Sequence, residues 1–317
     1  MTSPIGKGDG LYLGIEIGGT KLQICAGDGA AQILERSRFT VDKTAGAAGI
    51  RRQLEQTIPD LARRLKPAAV GVGYGGPVDW TTGQICCSHH IEGWSDFPLG
   101  SWLSELAQAP VRVDNDANVA ALGEALHGAG ADFETVFYIT LGSGVGGGLV
   151  SHGNIFHGAK PGEAEIGHVR LDRSGVILES RCSGWSVDAR IRDAVSKHPS
   201  SQLAKLVGKN FANEAKFLGP ALALQDSIAE KILAETADDL AFGLSHVTHL
   251  FHPDVIIMGG GLSLLGEPLL ASVKKQFPGY VMKAFTPRPG IMLSKLGEDV
   301  VPVGALSLAR GAKKPRQ

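Results

Sequence analysis

One pattern occurs twice in this chain. "LGIEIGGTKLQ" (Leu13–Gln23) is an apolar strand, a glycine turn and a second strand, and "TVFYITLGSGVGGGLVSHG" (Thr135–Gly153) repeats it. Copies about 125 residues apart describe a duplicated domain with a cleft between the copies. The length agrees, since 317 residues are too many for one ordinary core and comfortable for two domains.

Around the first copy, Leu11–Ile17 and Leu22–Ala26 read as paired strands and Ile33–Val41 as a third. Ala48–Leu65 has helical apolar spacing and ends before Pro67. Ala68–Asp79 is a buried strand running into a Gly-Pro loop, and Pro110–Leu126 is a strand, an acidic turn and a helix. A hairpin sheet followed by alternating helices and strands is α/β. After the second copy come a helical stretch from Ala221 to Phe251 and a buried strand within Asp254–Ser263 that ends in three glycines. A closing helix over Val303–Arg310 precedes the basic tail "KKPRQ". The boundary is expected near residue 120, giving domains 1–120 and 121–317, with the terminal helix at 303–312 free to pack back on the first.

The 43 glycines are about twice average usage, so each glycine loop needs support from its surroundings. A net charge of −1 gives no electrostatic case for nucleic acid or an anionic membrane. Cys25, Cys86, Cys87 and Cys182 form neither a metal-spaced set nor a secreted disulfide framework. "MTSPIGKGDG" lacks the apolar core of a signal peptide, and no apolar run is long enough to span a bilayer. A reduced, cytoplasmic compartment is expected.

The chemistry-bearing stretches each admit two readings. The turns at Gly18–Thr20 and Leu141–Gly148 would let two backbones approach a phosphate chain. Neither has the spacing of a P-loop or a dinucleotide fingerprint, and each is equally a tight hairpin turn. Glu16, carried into the first turn beside Lys21, would be a metal-linked acid at such a phosphate site. In "VDNDANVAA", Asp114, Asn115 and Asp116 stand at the C-terminal end of a strand, where open α/β sheets place ligand residues. Asn and Asp are also favoured helix caps, and Asp116 precedes the expected helix start. "MGGGLS" reads as a third site of close backbone approach. In "GEAEIGHVRL", Glu165 and His168 are three residues apart and could share a helical face, or lie on a solvated turn. A metal role for His168 lacks partners, because Cys182 is the only nearby thiol.

Together and in this order, six stretches resemble the ROK family (repressors, open reading frames and kinases) of sugar kinases, over nearly the whole chain. "IEIGGTK" resembles its first phosphate motif, in which many members have Asp where Glu16 stands and Glu also occurs. "GVGYGGPVDWTTGQI" resembles its Gly-Pro-Gly-x-Val-Asp strand, with Gly76-Pro77 altered in order. "IEGWSDFPL" resembles its Gly-Trp-x-x-x-Pro-Leu stretch, and "VDNDANVAALGE" its catalytic motif. "TLGSGVGGG" is similar to its second phosphate motif and "IIMGGGLS" to its adenosine motif.

The resemblance implies a duplicated actin-like, ribonuclease-H-like ATPase fold with two domains around a cleft. It also implies an ATP-dependent, glucokinase-like hexose kinase acting on the 6-hydroxyl. Asp116 would be the catalytic base, and Asn115, Glu165, His168, Glu179 and Gly75 would bind the sugar. Gly18, Gly19, Thr20 and Lys21, then Gly142, Ser143 and Gly144, then Gly259, Gly260 and Gly261 would hold the nucleotide. Lys21 would stabilise its turn rather than touch phosphate. Glu16 would hold Mg²⁺ through water. ATP and Mg²⁺ are the expected cofactors, sugar and nucleotide the expected partners, and a homodimer stays open. The alternatives are a kinase for an N-acetylhexosamine or fructose, a polyphosphate-using glucokinase, and a catalytically silent sugar sensor.

Glu179 is placed by "LESRCSGWSVDARIR" (Leu178–Arg192), and this stretch also departs from the family. The usual Cys-x-Cys-Gly-x-x-Gly-Cys knuckle is missing and the segment between His168 and Glu179 is short, so no structural zinc is expected. The family's repressors carry a helix-turn-helix before the first phosphate strand. Only Met1–Gly10 precede it here, so no DNA-binding role is expected.

Overall fold

A computed structural model describes residues 10–87, 91–160, 162, 164–209 and 212–311. Residues 1–9 and 312–317, the latter including the basic tail, lie outside the described residues. The chain forms two compact units. The first takes residues up to 131, 153–163 and 298 onward; the second takes Asp132–His152 and Ala164–Gly297. A break at 120 would cut the helix Asp116–His127, so the division falls after that helix.

Unit 1 is built on β1 (Tyr12–Ile17), β2 (Lys21–Gly27) and β3 (Ile33–Thr40), followed by α1 (Gly46–Leu65) and β4 (Val70–Tyr74). A short hairpin of β5 (Val78–Asp79) and β6 (Gln84–Ile85) leads to α2 (Leu99–Ala107), β7 (Val111–Asn115) and α3 (Asp116–His127). Lys66 caps α1 in the left-handed region (φ 46), its amide donating to Ala62 O, and Pro67 follows, which cannot continue the helix. The strand order is β3-β2-β1-β4-β7, antiparallel from β3 to β1 and parallel from β1 to β7. β1 and β4 are buried throughout, which is why they read as continuous apolar runs. The core beneath them holds Ile15, Ile50, Leu54 and a fully buried Trp94, whose ring meets Tyr74 and Phe97 edge-on at 5.8 and 5.3 Å.

The register lines up three strand ends. Ile17 pairs with Tyr74, and Tyr74 with Asn115. The next residues along each strand are Gly18, Gly75 and Asp116, so the sheet alone brings the first glycine turn, the Gly-Pro loop and the acidic turn into one row.

Unit 2 repeats the plan. β8 (Thr135–Leu141) and β9 (Val145–Ser151) form the second hairpin. The two-residue strand β10 (Asn154–Ile155) falls in the segment assigned to unit 1. Then come α4 (Glu179–Cys182), α5 (Gly184–Lys197), α6 (Gln202–Val207), α7 (Leu218–Ala223), α8 (Ser227–Phe251), β11 (Val255–Gly259), α9 (Glu267–Gln276) and β12 (Gly290–Leu293). The order β9-β8-β11-β12, with β11 parallel to β8 and β12, matches β2-β1-β4-β7 of unit 1. The helical stretch expected from 221 to 251 is two helices. Asp226 breaks it, accepting from the Ile228 and Ala229 amides as the N-cap of α8 and from the Leu203 amide of α6.

The chain closes with α10 (Val300–Gly311), longer at its start than the sequence spacing implied, which packs on β1, β4 and α3 within unit 1. The approach is close enough that a Cβ on Gly14 would lie 3.0 Å from the Pro302 carbonyl, and one on Gly123 2.5 Å from that of Val300. No helix among the described residues is long and apolar enough to cross a membrane.

Candidate active site

In unit 1, Glu16 is nearly buried at the end of β1. Lys21 Nζ lies 3.0 Å from its Oε1, and Gln23 Nε2 donates to its Oε2 at 2.7 Å. Gln23 Oε1 in turn accepts from Arg38 Nε at 2.9 Å. The ammonium of Lys21 is therefore held on Glu16. The turn between them closes by Gly18 N donating to Lys21 O at 3.0 Å. That leaves the Gly19 and Thr20 amides without a partner among the described residues, an arrangement suited to an anion.

Gly75 stands between this turn and the acidic one. A Cβ built on it would lie 3.3 Å from Asp116 Oδ2 and 3.6 Å from Gly18 Cα. The helix cap in "VDNDANV" is Asn115 rather than Asp116. Its Oδ1 accepts from Ala117 N and Asn118 N, and its Nδ2 donates to Gly76 O at 3.1 Å. Capping thus uses one side of Asn115 and leaves an amide hydrogen for a ligand. Asp116 is the first residue of α3, where the helix N-terminus favours its charge.

Unit 2 brings two glycine segments together. Gly259 of β11 pairs with Thr140 of β8, so Gly260 follows beside Leu141. Gly260 has φ +80, and a Cβ there would meet the Leu141 backbone at 2.6 Å. Gly142 N donates to Gly144 O at 3.0 Å and Gly142 O accepts from Gly184 N at 2.7 Å. The Ser143 and Gly144 amides have no partner among the described residues. Glu179 supports this turn directly: its Oε2 accepts from Val145 N at 2.8 Å.

Glu165 and His168 do not share an α-helix. They bracket a single 3-10 turn over Ile166–His168, with His168 N donating to Glu165 O at 3.1 Å. Among the described residues, no three His, Cys, Asp or Glu side chains gather as a metal-binding group. The segment from His168 to Glu179 is closed by the backbone instead. Leu171 N donates to Val176 O and Leu178 N to Val169 O, at 2.8 and 2.9 Å. Asp172 Oδ1 knots the tip, accepting from the amides of Ser174, Gly175 and Val176 and from the Ser174 hydroxyl. These donors, the Ser174 hydroxyl foremost, hold the Asp172 carboxyl below the usual carboxylate range. Cys182 is buried beside Thr236, and burial pushes its thiol far up.

Sequence reasoning missed Gln23, Trp80, His157 and Lys160. Gln23 was readable, since the hairpin register sets it directly opposite Glu16. The others were not. His157 Nε2 lies 2.7 Å from Asp114 Oδ2, its ring stacks on Trp80 at 4.1 Å, and Lys160 pairs with Asp79. No local spacing announces contacts between residues so far apart in the chain.

The ROK family model matches residues 12–312. A glucokinase of Halalkalibacterium halodurans is 32% identical over 310 residues, covering 93% of this chain and 94% of that one. A glucokinase of Thermotoga maritima is 29% identical over 306 residues, covering 94% and 96%. The crystal structure of a ROK family glucokinase from Streptomyces griseus in complex with glucose and AMPPNP superimposes with a TM-score of 0.83 at 29% identity, covering 95% of this chain and all of that one.

Proposed function

The chain belongs to the ROK family and is a sugar kinase, and we propose that it transfers the γ-phosphoryl group of ATP to the 6-hydroxyl of glucose. The observation that carries this reading is the placement of Asp116 against Gly75, with the Gly18 turn on that residue's other side. An acid meant to take a hydroxyl proton needs a phosphate-binding backbone within reach of the same atom. The relatives support the substrates: they are glucokinases, and one binds glucose and AMPPNP.

In this proposal Asp116 accepts the proton of the 6-hydroxyl as its oxygen attacks phosphorus. Asn115 and the Gly75 backbone in unit 1, and Glu165, His168 and Glu179 in unit 2, are the groups that orient the sugar in this reading. The amides of Gly19 and Thr20 in unit 1, and of Ser143 and Gly144 in unit 2, bind phosphate oxygens. Gly259–Gly261 admit the nucleoside. Glu16 would hold Mg²⁺ through water, and the ion, when bound, would supply charge neutralisation at the phosphates. Glu16 suits a water-mediated contact to that ion, because a carboxylate has about four acceptor sites and Lys21 and Gln23 use two. The four free cysteines suit a cytoplasmic enzyme.

Glucose is favoured over N-acetylated sugars on chemical grounds. Carboxylates at 165 and 179 accept from free hydroxyls, and a site built to bond each hydroxyl rejects analogues that leave its groups unpaired. The test is kcat/KM for glucose, mannose, fructose and the N-acetylated hexosamines. Glucose is expected to lead. An N-acetylated sugar preferred tenfold, roughly 1.4 kcal/mol in transition-state binding, would overturn the glucose assignment.

A further inference from the structure

We propose that His157 is a positioning residue for phosphoryl transfer: through Asp114 it fixes the backbone that presents Asp116. The inference rests on the reading of Asp116 as the base.

Asp114 is almost fully buried at the end of β7, and both its oxygens are engaged. Oδ1 accepts from the Asn115 amide at 2.8 Å and from Asn118 Nδ2 at 3.0 Å. Oδ2 lies 2.7 Å from His157 Nε2. An ionised carboxylate only accepts, so Nε2 carries the proton and donates. Asp114 thereby orients the peptide that enters Asn115, and Asn118 ties the same carboxylate to the first turn of α3. Asp116 lies between these two anchors.

His157 is itself held. Its ring stacks on Trp80 with an interplanar angle of 16°, and Lys160 bonds Asp79 and Thr81 in the turn beside Trp80. The ammonium of Lys160 keeps the Asp79 carboxyl well below its usual range, so that carboxyl stays ionised across neutral pH. The segment carrying His157 and Lys160 is thus fastened to unit 1 at two points. Remove the imidazole and a buried carboxylate loses a hydrogen-bond donor; it must then find another or shift. Either movement is passed to the Asn115 amide and the start of α3. A displacement of about 1 Å at a reacting group costs on the order of 10²-fold in rate.

The experiment uses the full chain with four variants: His157→Phe, which keeps the stack but not the donor; His157→Gln, which can donate; Asp114→Asn; and the double variant His157→Phe/Asp114→Asn. Steady-state kinetics with glucose and Mg-ATP are read alongside hydrogen–deuterium exchange of peptides spanning 113–118. His157→Phe should exchange faster there and lose about tenfold or more in kcat, with KM for ATP unchanged. His157→Gln should recover most of the loss, and the double variant should be no worse than the poorer single one. If His157→Phe does not fold, Asp114→Asn carries the same expectation. Unchanged exchange, an unchanged kcat, or losses that multiply in the double variant would overturn the proposal. Asp116→Asn is run beside them. If it turns over normally, the base assignment is at fault, while the exchange data still report whether His157 holds the 113–118 backbone.

Discussion

Lys21 and Glu16 face each other across the first hairpin, ammonium to carboxylate at 3.0 Å, with Gln23 on the second oxygen. Lys21 is half exposed and Glu16 nearly buried, so the pair itself contributes about 1 kcal/mol or less to stability. Its larger effect is to aim the carboxylate. Glu16→Gln should raise the Mg²⁺ concentration needed for half-maximal rate, and Lys21→Met should raise it less. A magnesium titration in which Lys21→Met is the more impaired would show that Lys21, not Glu16, carries the role.

Gly75 leaves room for the Asp116 carboxylate. A methyl group there would press on Oδ2 at 3.3 Å, closer than an ordinary contact, and Asp116 would have to give way. Gly75→Ala should cut kcat about tenfold or more while thermal unfolding shifts little. A variant with wild-type kcat would show that Asp116 tolerates displacement, contrary to the role given it.

Glu179 was expected to serve the sugar, yet its Oε2 also supports the second glycine turn through Val145 N. Glu179→Ala should therefore raise KM for both glucose and ATP. Glu179→Gln retains an acceptor for the amide, so it should restore the ATP value and leave the glucose value raised. Equal KM values for ATP in wild type and Glu179→Ala would separate the residue from the nucleotide site.

Asp226 offers a test of the fold independent of activity. Burial alone would raise its pKa, but the amides of Ala229, Leu203, Gln202 and Ile228 outweigh it and the carboxyl sits below its usual value. A folded pKa below the unfolded one, about 3.9 for Asp, means the stabilisation is full above that pH and is lost as pH falls through the folded value. Asp226→Ala should destabilise by about 1–2 kcal/mol at neutral pH, as lost caps do. The gap between the denaturant midpoints of wild type and variant should begin to narrow below about pH 4 and close as pH falls through the folded value. A gap that persists at acid pH would assign the effect to packing.

The parts of the site legible in the sequence are those that strand ends and glycine turns define locally. Apolar runs followed by glycines located both hairpins, and parallel register then brings Gly18, Gly75 and Asp116 into line. Helix ends were less legible. The helix was expected to start after Asp116 and starts at it, with Asn115 as the cap, because both residue types cap well and only the backbone turn decides between them. Asp226 was a readable stop inside an otherwise continuous helical pattern. His157 and Lys160 were invisible, since their partners Asp114 and Asp79 come from other strands and nothing in the local spacing links them.

The central claim is that Asp116 is the base of a sugar kinase. It is tested most directly by coupled ADP-release assays with glucose and Mg-ATP, comparing wild type with Asp116→Asn, which keeps shape and hydrogen bonding but takes no proton. Wild type should release ADP only when glucose is present. The variant should fall at least ~10²-fold in kcat, the lower end for a lost general base, with KM for glucose changed far less. Sugar-independent ADP release by the wild type, or near-normal turnover by the variant, would contradict the account.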